Sequence, residues 1–284
     1  MNISFFGASV TQQKTGYAQM IKKFLNKFNI NVHGYGSMHM NDAGVCFLDD
    51  VVKNKPDYCF IDWFSTGYVN NYINEYLDTI TYKLQQNHDC TIIYLFFDRT
   101  DMNDERLEMY EVAKKYADSH NIYYIELYNN NNINELINDV VHTNDFGSNF
   151  YAQKIYNEFM SRIYNKNLPK IIVDKTKYCD IKVLDYMKEI NDKLVIKGNG
   201  KIVGIYQSIG PYSGRVKINN NIIDVIDRWC VYERNNIKIS VDINDHITIE
   251  VLKGKTSLEY SWETEPKYLK IIKIFYIGNI FIEN

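Results

Sequence analysis

Ile3-Ser4-Phe5-Phe6-Gly7-Ala8-Ser9-Val10-Thr11 is an apolar run that stops at a glycine and delivers a serine just beyond it. Apolar residues then recur at Tyr17, Ile21, Phe24, Leu25 and Phe28, a helical period that predicts a helix over residues 15–28. Strand, small-residue turn and helix in that order put Ser9 at the carboxyl end of a first strand, where open parallel sheets hold their ligands. By itself the stretch is weak, because Gly-x-Ser is common and such a turn is often only a turn.

The rest of the first half repeats the alternation. Short apolar runs at residues 2–6, 30–35, 58–63, 91–97 and 122–127 have the character of strands buried in a parallel sheet. Helical periods fill residues 70–86, 105–119 and 147–164. Alternating elements of this kind predict a doubly wound α/β sheet with its site at the carboxyl edge. After Asn165-Lys166-Asn167-Leu168-Pro169 the pattern changes to short strands, at residues 201–206, 215–218, 237–241, 246–251 and 270–277, separated by Gly, Asn and Asp turns. A chain of 284 residues exceeds the single core of the first part. The expected organisation is an α/β domain over 1–167 and a small all-β sandwich over 168–284.

Asp139-Val140-Val141-His142 supplies an acid and a base three residues apart, just before the last helical period. A serine hydroxyl needs a neutral imidazole to take its proton, and a carboxylate to fix the imidazole tautomer and stabilise the imidazolium. Alone, His142 reads equally as a hydrogen-bonded structural histidine and Asp139 as a helix cap. Their order along the chain relative to Ser9 raises the joint reading.

Gly7-Ala8-Ser9-Val10-Thr11 resembles the first block of the SGNH (GDSL-like) hydrolases, with Gly-Ala-Ser in place of the usual Gly-Asp-Ser. Asp139-Val140-Val141-His142-Thr143-Asn144 resembles their last block, which carries the catalytic acid and base. The resemblance covers roughly residues 1–166. It implies a flavodoxin-like, five-stranded doubly wound sheet, with Ser9 as nucleophile, His142 as base and Asp139 as its orienting acid. In the second block, Asn31-Val32-His33-Gly34-Tyr35-Gly36-Ser37, Gly36 takes the role of the oxyanion-hole glycine and Gly34 competes for it. The third block usually reads Gly-x-Asn-Asp, and here the text is Ile61-Asp62-Trp63-Phe64-Ser65-Thr66-Gly67. Thr66 stands where the family has asparagine, so a hydroxyl replaces an amide as the third donor beside the N–H groups of Ser9 and Gly36. Loss of one such donor typically costs about 10²–10³ in turnover.

Composition narrows the alternatives. The formal net charge is −3 and no basic stripe follows the sequence, which argues against a nucleic-acid partner. No 18-residue apolar segment exists, so no membrane span is expected, and the first strand starts at Asn2 with no room for a secretion signal; a cytoplasmic protein is the expectation. The five cysteines lack Cys-x-x-Cys spacing and read as reduced thiols. The six histidines form neither a His-x-x-x-His pair nor a His-Glu-x-x-His motif, so neither a metal nor another cofactor is expected. The asparagine run at 129–132 reads as a polar loop.

In the second half, Asp227-Arg228-Trp229-Cys230-Val231-Tyr232-Glu233-Arg234 is unusual. An ordinary domain core accounts for much of it. Arg228, Trp229 and Arg234 also fit a platform on which an aromatic face stacks against a sugar ring while guanidinium groups bind its oxygens. The short joint at 166–170 lacks the Gly/Ser or Pro richness of a flexible tether and predicts a fixed relation between the domains. Three functions remain: a serine esterase removing acyl, foremost acetyl, groups from a glycan or glycan precursor; an O-acyltransferase using the same serine on a surface-polysaccharide sugar; and a non-catalytic glycan-binding protein that kept the fold.

Overall fold

The computed structural model describes residues 1–86, 89–128, 132–174, 176–228, 230–258, 260–265 and 267–283, without the side chains of 41 and 42. Asn129, Asn130 and Asn131 of the asparagine run, and Trp229, lie outside the described residues. The chain divides into two compact units, Met1–Cys179 and Asp180–Asn284. Residues 168–179, expected at the start of the second domain, cluster with the first unit because the chain keeps bonding to it. Asn121 Nδ2 donates to the Lys170 carbonyl, Ile172 N–H to the His120 carbonyl, and Cys179 N–H to Thr79 Oγ1.

The first unit runs β1 (Asn2–Gly7), α1 (Ser9–Gln12), α2 (Tyr17–Met20), β2 (Asn29–Gly34), α3 (Met40–Ala43), α4 (Leu48–Val52), β3 (Tyr58–Ile61), α5 (Ile73–Gln85), β4 (Thr91–Phe97), α6 (Asp104–His120), β5 (Tyr123–Leu127), α7 (Ile133–Leu136) and α8 (Asp145–Glu158). Among the described residues its five strands form one parallel sheet, ordered β2-β1-β3-β4-β5. This is the doubly wound arrangement read from the sequence. The winding reverses between β1 and β3, whose register pairs Phe6 with Ile61, so their carboxyl ends flank the switch point where such sheets place ligands. Successive side chains of a strand face opposite ways. Ile3, Phe5, Phe60, Ile93, Leu95 and Phe97 pack with α2 and α8 residues Tyr17, Tyr151 and Ile155, while Phe6 packs edge-on against Trp63, and Phe96 lies tilted against Phe64 and Tyr110.

The helix expected over 15–28 is broken. After the single turn of α2 the chain tightens into a 3₁₀ turn, Ile21–Lys23, and then leaves helical structure. The apolar face is kept: Ile21 and Leu25 are buried, and Phe28 packs edge-on against Phe159 and Tyr164. Packing of those side chains takes precedence over weak helix propensity in an uncapped segment.

The second unit is all-β. It comprises β6 (Lys182–Ile190), β7 (Lys193–Ile209), β8 (Arg215–Ile218), β9 (Asn221–Asp224), β10 (Arg234–Lys238), β11 (Val241–Leu252) and β12 (Leu269–Glu283). Among the described residues these make one antiparallel sheet, ordered β6-β12-β7-β11-β8-β9, with β10 added to β7 beyond the end of β11. In the long strands β7 and β12, Gly198 and Gly278 take φ values of +124° and +92°. A Cβ at Gly198 would lie 2.0 Å from the Asn279 carbonyl oxygen, so only glycine lets the two backbones approach there. Leu194, Ile196, Ile202, Ile205, Ile243, Ile249 and Ile274 fill the core.

Candidate active site

β1 ends at Gly7, and α1 begins at Ser9, so the serine opens a single helical turn at the switch point, with Ala8 at its N-cap. Far along the chain, the segment before α8 is folded back on itself. Ile137 bridges Thr143, and Asn138 N–H donates to the His142 carbonyl at 2.7 Å. Asn144 caps α8 by accepting from Gly147 N–H at 2.8 Å. This tight turn holds Asp139 and His142 on one side. Asp139 Oδ1 accepts from the N–H groups of Val141 and His142, both at 2.8 Å, and Oδ2 faces His142 Nδ1 at 2.7 Å.

His142 Nε2 lies 2.8 Å from Ser9 Oγ. With Nδ1–H donating to Asp139, Nε2 is free to accept the Ser9 hydroxyl. Burial pushes the Asp139 carboxyl up, but the two backbone N–H groups and the imidazole outweigh it and hold Asp139 below the ordinary carboxylate range. The acid therefore stays ionised at neutral pH. Ser9, His142 and Asp139 thus meet in one hydrogen-bonded series, Ser9 and His142 being 133 residues apart in the sequence.

A latch that sequence reasoning missed holds the two halves together. Gln13 Nε2 donates to the Thr143 carbonyl at 2.6 Å, and Thr143 Oγ1 donates back to Gln13 Oε1 at 3.1 Å. This reciprocal pair ties the turn carrying Ser9 to the turn carrying His142.

The two second-block glycines have different surroundings. A Cβ on Gly34 would strike the Gln12 backbone, 2.3 Å from its nitrogen, so Gly34 lets α1 pack on β2. A Cβ on Gly36 would lie 3.8 Å from Ser9 Cβ and 2.1 Å from Gln12 Oε1. Gly36 is therefore the one beside the serine. Thr66 sits in the 3₁₀ turn Trp63–Thr66, and its hydroxyl donates to the Trp63 carbonyl at 3.1 Å while its own carbonyl faces His39 Nδ1 at 2.7 Å. Arg99 secures the same turn from the end of β4, donating to the Ser65 carbonyl at 3.0 Å and to both carboxylate oxygens of Asp101.

Asp62, at the end of β3, reads in the sequence only as part of an apolar run and the divergent third block. It is fully buried. Its Oδ1 accepts from Ala8 N–H at 3.0 Å, and its Oδ2 accepts from Thr11 Oγ1 at 2.5 Å and from the Tyr17 hydroxyl at 3.2 Å. Burial pushes the carboxyl up to about 6, against the lowering effect of those three donors.

In the second unit, Arg228 is exposed and Arg234 Nη2 donates to the Asp227 carboxylate, which occupies part of the guanidinium expected to face a sugar. Among the described residues no three His, Cys, Asp or Glu side chains are grouped to hold a metal ion, and no helix is long and apolar enough to cross a membrane.

Neither a family model nor a curated protein matches the sequence. Solved structures do. A two-domain esterase (CEX) active on acetylated mannans superposes with a TM-score of 0.70 at 12% identity, over 99% of this chain and 92% of that one. The fold is that of a two-domain esterase. The same esterase co-crystallised with mannopentaose gives a TM-score of 0.68 at 13% identity, over 98% and 91% of the two chains. The acetyl xylan esterase AlAXEase matches at 22% identity over 55% of this chain and 98% of its own, with a TM-score of 0.48.

Proposed function

We propose that the chain is an SGNH-type serine esterase that removes acetyl groups from a carbohydrate. The observation that carries this is the hydrogen-bonded series Ser9–His142–Asp139, at 2.8 and 2.7 Å, on the carboxyl edge of the sheet. Likeness in fold to an esterase active on acetylated mannans supports the choice of substrate class.

In this mechanism Ser9 Oγ attacks the ester carbonyl carbon as His142 Nε2 takes its proton, and Asp139 stabilises the imidazolium. The oxyanion forms against the N–H groups of Ser9 and Gly36. Thr66 adds a weaker third donor when its hydroxyl turns from the Trp63 carbonyl. Collapse of the tetrahedral intermediate breaks the bond to the sugar oxygen, which leaves with the proton from His142. Water, deprotonated by the same imidazole, then cleaves the acetyl-Ser9 ester and releases acetate. A sugar hydroxyl in place of that water would make the same machinery an O-acyltransferase.

A serine-reactive phosphonate should label Ser9 and abolish release of acetate from acetylated mannan oligosaccharides. Near-normal turnover of a small aryl acetate by Ser9→Ala would eliminate the mechanism. Transfer of the acetyl group to an added glycan, rather than free acetate, would convert the assignment to the acyltransferase.

A further inference from the structure

The nucleophile turn lacks the acid that the resembling family carries beside its serine: the text is Gly7-Ala8-Ser9. A carboxylate nevertheless reaches that turn, from another strand. Asp62 comes off the end of β3 directly across the switch point from β1, and its two oxygens grip the chain on both sides of Ser9, at Ala8 N–H before it and Thr11 Oγ1 after it. Gly7 fits this arrangement. A Cβ there would fall 1.3 Å from Asp62 Oδ1, so the glycine vacates the space that the carboxylate occupies.

We propose that Asp62 is a positioning residue for the nucleophile, clamping Ala8 and Thr11 so that the Ser9 hydroxyl and N–H are held toward the acyl group. The inference rests on the esterase reading above. Stability alone does not account for the clamp. A buried carboxylate without a countercharge is expensive, and among the described residues no ion pair reaches Asp62; neutral donors alone hold it, and its ionisation is disfavoured. An asparagine could accept from Ala8 with its oxygen and donate to Thr11 and Tyr17 with its amide, satisfying the same neighbours at no cost in buried charge. Residues that lower stability while fixing a reactive group are characteristic of functional sites.

The test compares Asp62→Ala, Asp62→Asn and Thr11→Val with the native chain, using an aryl acetate, with kcat, KM and melting temperature measured at pH 8. Asp62→Ala should lower kcat about 100-fold with KM changed less than about twofold, the size of effect seen when an oxyanion donor is misplaced. Asp62→Asn, which keeps the acceptor for Ala8, should recover kcat to within about fivefold of native and melt at or above the native temperature. Thr11→Val should lose about fivefold in kcat. Affinity for a boronic-acid transition-state analogue should fall in proportion to kcat, which a merely structural role would not produce. Native kcat in Asp62→Ala, or equal losses in the Ala and Asn variants, would overturn the proposal. Should Asp62→Ala fail to fold, native kcat in Thr11→Val does so instead. Ser9→Ala is assayed beside them: if it is inactive while the Asp62 variants are native, only the role of Asp62 falls, and if Ser9→Ala is itself active, the esterase reading falls.

Discussion

Asp62 and Asp139 serve the two halves of one site in opposite surroundings. Asp62 is sealed beneath the nucleophile turn with Ala8 and Thr11, all three fully buried. Asp139 and His142 stand half in solvent, with side-chain exposures of 51% and 38%. The buried carboxyl is pushed up to about 6 by desolvation, and the exposed one is held down by backbone N–H groups despite its partial burial. The contrast separates two tasks. In the proposed mechanism the serine's backbone is fixed within a fraction of an ångström, which packing does best, while the imidazole gains and loses a proton beside water and needs an acid that remains charged.

The largest effects should come from the atoms that exchange the proton. Ser9→Ala and His142→Ala should each lower kcat for an aryl acetate by on the order of 10⁴-fold or more, and the double variant should be little worse, because members of such a unit fail together. Additive losses in a double-mutant cycle would show that the two residues do not act as one.

Asp139→Ala should cost less, on the order of 10³-fold, since the imidazole keeps Ser9 as a partner but loses its fixed tautomer. Its stability contribution has a definite sign. Because the folded value lies below the ordinary one, that contribution is present above the ordinary carboxylate range and is lost as pH falls. A loss of stability on raising the pH, traced to Asp139 by comparison with Asp139→Asn, would contradict the hydrogen bonds described.

Asp62 should behave in the reverse sense. Its folded value of about 6 lies above the ordinary 3.8, so between those values the folded chain holds a proton that the unfolded chain has released. The stabilisation is fully present below about pH 4 and lost as pH rises through 6, a change of up to roughly 3 kcal/mol for a carboxyl displaced that far. Denaturant melts of the native chain and Asp62→Asn at pH 5 and pH 8 should therefore converge in acid and diverge at pH 8 in favour of Asn. Parallel pH dependences would remove the contrast between the two acids.

The smallest effect belongs to Thr66. Its hydroxyl already has an acceptor in Trp63, so Thr66→Val should lower kcat by no more than about fivefold with KM unchanged. A hundredfold loss would place Thr66 fully in the oxyanion hole and make the third block as strong a contributor as the asparagine it replaces.

The strands of the first unit were legible as apolar runs, and Ser9, Gly36, Asp139 and His142 stood out as candidate residues because each has a local mark, a glycine after a strand or an acid three residues before a histidine. Asp62 escapes such reading because it closes an apolar run and its partners are backbone and hydroxyl groups on other elements. The signal available was the run itself: a lone acid at the end of a buried strand is rarely left without partners. The Gln13–Thr143 latch joins residues 130 apart and leaves no mark in one sequence. In the second unit the missed strands, β6 and β9, are the two at the ends of the sheet order. Each has a neighbour on one side only, and β6 alternates only weakly, with six of its nine residues exposed and Leu184, Tyr186 and Ile190 only partly buried against the core. A half-covered face imposes only weakly the period-two pattern on which strand reading relies.

The strand order also sets a timetable for folding. In the first unit each new strand joins a neighbour already made, and the sheet is complete once β5 has formed at Leu127. The second unit cannot proceed that way, because β12, residues 269 to 283, lies between β6 and β7 and pairs with both. Until those residues emerge from a ribosome, β6 has no partner and one long edge of β7 is open to whatever strand it meets. The first unit should thus reach its native state during synthesis, whereas the second waits for closure across roughly 80 residues of intervening chain and is where misassociation of nascent chains should concentrate.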